Sequence, residues 1–280
     1  MLPFTGLWSF NEAILCAGQA TADNLTPQIA QIDYMLRTDS IEQADIISNV
    51  MDNNAEAAAK ATFCKWKKTW VAKSRPGLAN HAISQATYDN LALVGAPQWG
   101  AKAITVAQEM QRNLGLDAMA KPFLPATESL IEPQECERLM RKQMPEWQKY
   151  LTSDDYPDYT WHCPTVRLII ARPMLSAPKG YTYPDWVANA LGGIPVTIDP
   201  MVQCAGKTIG ATLLDLFTKP ELLKAAKDEF AERTGGGVGG SEWMAPLLPK
   251  DFKVPHQYRW PEYVTTARGE EWTIPYRDDE

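Results

Sequence analysis

Apolar residues recur along this chain with two periods, one near four residues and one of two, and the alternation between them predicts a mixed helix and strand protein. Ser9-x-x-Glu12 has capping-box spacing, in which each side chain satisfies a backbone donor near the other, and predicts a helix over about Phe10 to Ala22. Beyond Pro27, Ile29 to Arg37 places Ile32, Tyr34 and Leu36 on one side, the period of a half-buried strand. Ser40-x-x-Gln43 repeats the capping spacing and opens a long helix whose inward stripe is expected at Ile47, Met51, Ala55 and Ala58. Thr62 to Lys73 then alternates Cys64, Trp66 and Trp70 against Lys65, Lys67 and Thr69, which predicts a strand with one wet face.

Further on, helices are expected over Asn80 to Val94 and Ala101 to Leu114, separated by Gly95-Ala96-Pro97, where proline cannot continue a helix. Lys121 to Pro133 is broken by prolines and reads as irregular, and Pro133 to Tyr150 reads as helical. Thr165 to Arg172 is the strongest strand pattern in the chain, a β-branched apolar run expected in the interior of a sheet. After a turn-rich stretch between Pro173 and Pro200, a helix is expected from Met201 to Phe217 with Ile209, Leu213 and Leu216 facing inward. Pro220 restarts a helix that runs to Arg233. Gly235 to Gly240 reads as a flexible breaker and not as a phosphate loop, because no Lys-Ser/Thr follows it. The last forty residues carry Trp243, Phe252, Tyr258, Trp260, Tyr263, Trp272 and Tyr276 with little periodicity, as a strap anchored by aromatic side chains would.

Composition narrows the function classes. With 45% hydrophobic and 22% charged residues over 280 positions, the chain is of ordinary globular type and long enough for a sizeable core. Its net charge of -7 gives no electrostatic reason to expect nucleic acid or an anionic membrane as partner. Five cysteines without CxxC spacing suggest neither a zinc ribbon nor a disulfide framework, so a reducing, cytoplasmic setting is expected. No segment approaches the ~20 apolar residues that span a bilayer.

Candidate chemistry is sparse. His81 and His256 read as surface or capping residues, and His162-Cys163 is the one His/Cys adjacency, although neighbours on a strand point to opposite faces. Asp154, Asp155 and Asp158 form an acidic loop without the calcium-loop pattern, which reads as a solvated turn. No G-x-S-x-G or H-E-x-x-H motif is present.

Four passages, in order, carry a family likeness: Pro3-Phe4-Thr5-Gly6; Thr26-Pro27-Gln28-Ile29 leading to Tyr34-Met35-Leu36-Arg37; Gly95-Ala96-Pro97-Gln98-Trp99; and Ser153 to Trp161. Ala211 to Leu216 and the ending Trp260-Pro261-Glu262 to Thr273-Ile274-Pro275 extend it. In these passages the chain resembles the M20 family of metallo-amidohydrolases, in its p-aminobenzoyl-glutamate hydrolase branch. The resemblance implies an α/β fold: the second half of a doubly wound zinc-amidohydrolase domain plus an incomplete small α/β lid. On that template residues 1–75 are the lid and dimerisation domain, 76–245 the C-terminal part of the catalytic-type domain, and 246–280 the aromatic strap. The family's front half, which holds most metal ligands and the glutamate that acts as general base, has no counterpart here. The one ligand position expected in the back half falls on Asp199 instead of histidine. A second histidine of the branch is replaced within Lys179 to Trp186. No catalytic residue is assigned, and no cofactor is expected for this chain alone, where the family carries zinc or another divalent metal. Three readings follow: a catalytically silent remnant, one part of a split amidohydrolase acting on N-acyl or aminobenzoyl amino acids, or a structural and oligomerisation protein on the same scaffold. Self-association or a partner chain carrying the missing half is expected.

Overall fold

The computed structural model describes residues 8–17, 29–142, 156–253, 262–267 and 269–273. Helix and strand are mixed, and the chain divides into two compact units, Met1–Arg75 with Pro246–Glu280, and Pro76–Ala245.

The first unit opens with a correction. The helix expected over Phe10 to Ala22 does not form in its described part: Trp8–Cys16 is strand β1, paired antiparallel with β2 (Gln31–Thr38) in the register Phe10 with Leu36, Glu12 with Tyr34 and Ile14 with Ile32, and residues 18–22 lie outside the described residues. The capping-box spacing was met, yet alternation prevails, because pairing gathers Trp8, Phe10, Ile14, Ile32, Tyr34 and Leu36 onto one face. Phe10 and Tyr34 touch at a centroid distance of 5.2 Å. Partial burial, and then the neighbouring Glu12 carboxylate, push the Tyr34 phenol up from its ordinary value.

Helix α1 (Ile41–Thr62) starts as its sequence predicts, with Ser40 Oγ accepting from Gln43 N at 3.1 Å. Ile47, Ser48 and Ala59 are buried and Met51 and Ala55 half-buried, so the inward row closes on Ala59 and not on Ala58. Phe63 ends the helix in the left-handed conformation at φ 57°, 97% exposed. The strand expected over Thr62 to Lys73 does not form: Thr62 belongs to the helix, and residues 64–73 are non-helical and without ladder partners. Lysines hold that segment instead. Lys68 Nζ meets Asp52 at 2.8 Å and Ser48 at 2.7 Å, and Lys73 Nζ meets Asp45 at 2.5 Å, so the chain returns along α1 with Trp70 beneath both ammonium groups. Lys65 and Lys67 were expected on the wet face of a strand; it is Lys68 and Lys73 that anchor the segment. Where the aromatic strap was expected, β3 (Glu262–Thr266) and β4 (Gly269–Thr273) form an antiparallel hairpin. Trp260 and Tyr276 lie outside the described residues.

In the second unit, α2 (His81–Val94), α3 (Ala101–Asn113), α4 (Pro133–Arg141), α5 (Trp186–Gly192), α6 (Pro195–Thr218) and α7 (Pro220–Thr234) are joined by short 3-10 turns and irregular chain. Residues 143–150, expected to continue α4, lie outside the described residues. Helix α6 packs against α2, α3, α5 and α7. One core cluster joins Trp99, Ala103, Ala107, Phe123, Leu175, Val187 and Leu191, with Trp99 stacked on Phe123 at 4.8 Å. A second joins Leu78, Trp161 and Phe230, with Trp243 and Met244 against it.

Two expectations fail here for physical reasons. Thr165–Arg172 forms no strand. Positions 166 to 170 alternate half-buried and exposed, with Ile169 71% exposed, but among the described residues Leu168, Ile169, Ile170 and Ala171 make no backbone hydrogen bond. Among the described residues no strand pairs with this run; the nearest bridge, Phe123 to Leu175, comes after it. Helix α6 begins six residues earlier than expected, with Pro195 in its first turn. Pro200 is carried inside it at the cost of the one bond its missing N–H would make. The inward stripe is also inverted. Thr197, Cys204, Thr208 and Thr212 are buried, while Ile209 and Leu213 are exposed. The threonine hydroxyls return to their own helix, Thr208 to Cys204 O and Thr212 to Thr208 O, each at 2.9 Å.

The glycine run after α7 is a closed loop and not a flexible breaker. Gly235 takes the left-handed C-cap at φ 65°, Gly236 N donates to Ala231 O at 2.8 Å, and Glu242 N returns to Thr234 O at 3.1 Å. A Cβ on Gly240 would stand 2.2 Å from Thr234 O. Gly240→Ala is therefore expected to cost about 2–4 kcal/mol, read as a lowered urea midpoint with an unchanged slope.

Candidate functional site

A group of charges forms where α7 meets the start of α2. Asn80 caps α2 through Oδ1, accepting from Ile83 N at 3.1 Å, while its Nδ2 donates to Ala226 O at 2.8 Å. Glu229, one turn further along α7, accepts the amides of His81 and Ala82 at 2.9 Å each and the Arg233 guanidinium at 2.8 Å. Burial alone would push the Glu229 carboxyl up, but the two helix amides and then Arg233 outweigh it and hold the group below the ordinary carboxylate range. His81 stands beside this carboxylate at 3.8 Å, with Glu137 at 3.7 Å and Arg233 Nη2 at 3.2 Å from its ring. The arrangement places a carboxylate against the positive end of a helix, which ties two helices together. It is a lock between α2 and α7, built from residues about 150 positions apart.

Sequence-derived candidates are dispersed around it. His162 and Cys163 do not form a nucleophile and base pair: the imidazole meets the edge of Trp243 at 6.0 Å, and Cys163 Sγ lies by Tyr159 O at 3.7 Å and Thr165 Oγ1 at 3.8 Å. Asp158 is half-buried in the 3-10 turn Pro157–Trp161, whereas Asp154, Asp155 and His256 lie outside the described residues. Asp199 is exposed in the second turn of α6. Among the described residues no three His, Cys, Asp or Glu side chains converge as a metal-holding group. Within Lys179 to Trp186, Tyr183 OH donates to Ser176 O at 3.1 Å and receives Gln111 Nε2 at 3.1 Å. Among the described residues no helix is long and apolar enough to cross a membrane.

Two passages of the family likeness deliver their tryptophans to the two core clusters. Trp99 Nε1 donates to Thr197 O, and Trp161 Nε1 to Pro76 O, each at 2.7 Å. The Asn90, Asp215 and Lys219 contacts, each 2.8 Å long, tie α2 to α6, and Lys219 first and Asn90 second hold the Asp215 carboxyl below its usual value. Sequence reasoning missed Glu229 as a cap because its partners are far away along the chain; only the i,i+4 spacing with Arg233 was legible. Buried Cys204 donates to Gly95 O at 3.3 Å, and burial pushes its thiol up, only partly offset by Thr208 and Lys207. No family model, characterised protein or solved structure matches the chain.

Two measurements follow from these geometries. Glu229→Gln is expected to lose about 1–2 kcal/mol of stability at neutral pH. Because the folded-state value is depressed, the wild-type advantage is complete above the unfolded carboxylate range and shrinks as pH falls through the folded value. Denaturation of both proteins from pH 7 down to pH 3 reads that convergence. Peptide mapping after alkylation of the native protein is expected to find Cys64, Cys136 and Cys163 modified and Cys204 intact until unfolding.

Proposed function

We propose that the chain is a non-catalytic part of an M20-type metallo-amidohydrolase, built as the second half of a doubly wound domain with a small lid. A second polypeptide supplies the metal ligands and the carboxylate that activates water. The substrate class is an N-acyl or aminobenzoyl amino acid. What supports this reading is the ordered likeness of the passages from Pro3 to Pro275, and one observation carries it. Thr165–Arg172 has the composition of an interior strand, and positions 166 to 170 are held at alternating exposure with Ile169 71% exposed, yet the backbone of Leu168 to Ala171 is unpaired among the described residues. A strand of that kind is completed by neighbouring strands from elsewhere, which is what a missing half-domain provides. Hydrolysis through a metal needs converging carboxylate and imidazole ligands with one open position, where bound water is deprotonated near neutral pH. This chain's own share of that centre, on this reading, is Asp199 alone.

The purified chain is expected to carry no stoichiometric zinc by elemental analysis. It is also expected to leave N-acetyl amino acids and p-aminobenzoyl-glutamate uncleaved. Stoichiometric zinc together with chelator-sensitive amidase activity overturns the reading. A reading frame bearing a His-x-Asp metal motif next to this one in the genome supports it, and unrelated flanking sequence favours a structural remnant.

A further inference from the structure

Helix α6 is apolar on two opposite sides, and only one of them is covered. The side carrying Thr197, Cys204, Thr208 and Thr212 is buried within the second unit. Opposite it, Val202, Ile209, Leu213, Leu214 and Phe217 are exposed, Leu214 to 61% and Phe217 to 84%. Gly206 and Gly210 lie on the same exposed side, and a Cβ added at either meets nothing within 4 Å. From Val202 to Phe217 this face runs about 22 Å, interrupted by no acidic residue and carrying Gln203 and, at its edge, Lys207 as its polar side chains.

We infer that this face of α6 is a self-association surface, occupied by α6 of a second copy of the chain in an antiparallel, two-fold arrangement. The pattern of small and large residues selects this occupant. A two-fold axis running between two antiparallel copies of the helix, at the level of Ala211 and Thr212, sets Gly206 opposite Phe217 of the partner subunit and Gly210 opposite Leu213 of the partner subunit. At 100° per residue both pairs lie within about 30° of one line along the helix, so a single axis satisfies them together. Each glycine is a notch and each opposing side chain fills it, so the same patch complements itself, as a two-fold interface requires. The exposed side chains of this face offer on the order of 600 Å² per copy, close to the ~800 Å² per partner of a standard stable interface. This inference is independent of the proposed enzymatic ancestry, since zinc content and amidase activity do not depend on it.

Sedimentation velocity of the full chain across the micromolar range tests it. The wild type is expected to form a reversible dimer. Gly210→Leu and Phe217→Ala are each expected to weaken it at least tenfold while the monomer keeps its circular dichroism and melts no earlier than the wild type, because neither site touches the core and leucine favours the helix over glycine. Joining Gly210→Leu to Leu213→Ala moves the notch to the other side of the same pair and is expected to restore the dimer, which a mere change in surface hydrophobicity would not do. A chain that stays monomeric at every concentration overturns the inference. So does a dimer indifferent to Gly210→Leu and Phe217→Ala, which places the contact on another face such as that of β1 and β2.

Discussion

An indole can be buried only if its N–H finds an acceptor, and in the second unit that constraint fixes where distant stretches of chain must lie. Trp161 is 1% exposed, and its donation to Pro76 O sets the entry of the unit against the turn that follows Pro157. Thr160 Oγ1 then receives Leu78 N, and Trp243 Nε1 donates to Trp161 O, so the segment before α2 and the segment after α7 converge on the same few residues. Trp99 does the same for α6: its donation to Thr197 O seats the start of that helix over α3. With the indoles satisfied, the apolar clusters around them close without leaving a polar group to be desolvated for nothing.

Much of the helical architecture was legible because its signals are local. Ser40 capping α1, Asn80 opening α2, Pro220 beginning α7 and Gly235 ending it each act within four residues of themselves, and each is found where its spacing places it. Strands were less legible, since alternation states a preference that only a partner can realise. Trp8–Cys16 has its partner in β2 and becomes a strand against a capping signal; residues 64–73 and Thr165–Arg172 have the alternation but, among the described residues, join no strand ladder. The charged lock of Asn80, His81, Glu229 and Arg233 was invisible for a related reason, as no local rule links positions 80 and 229.

The inversion of α6 has a separate cause. Periodicity identifies an apolar stripe but does not say which stripe meets the rest of its own chain, and a helix with two apolar sides offers two answers. The buried side is chosen by threonine and cysteine, whose polar groups bond back to their own helix or to Gly95 O and ask nothing of a neighbour. The bulkier aliphatic side is thereby left outward.

The closed loop at the end of α7 makes four similar-looking glycines unequal. Gly235 and Gly240 are hemmed in by Ser241 and by Thr234 O, so steric exclusion leaves them no substitute. Gly237 and Gly239 have open surroundings and are constrained only by the positive sign of φ, which asparagine or aspartate also tolerates. Natural drift in this run should therefore accumulate as Asn or Asp at positions 237 and 239 while positions 235 and 240 stand still, a fingerprint by which diverged copies of the chain are recognisable after most surface identity has gone.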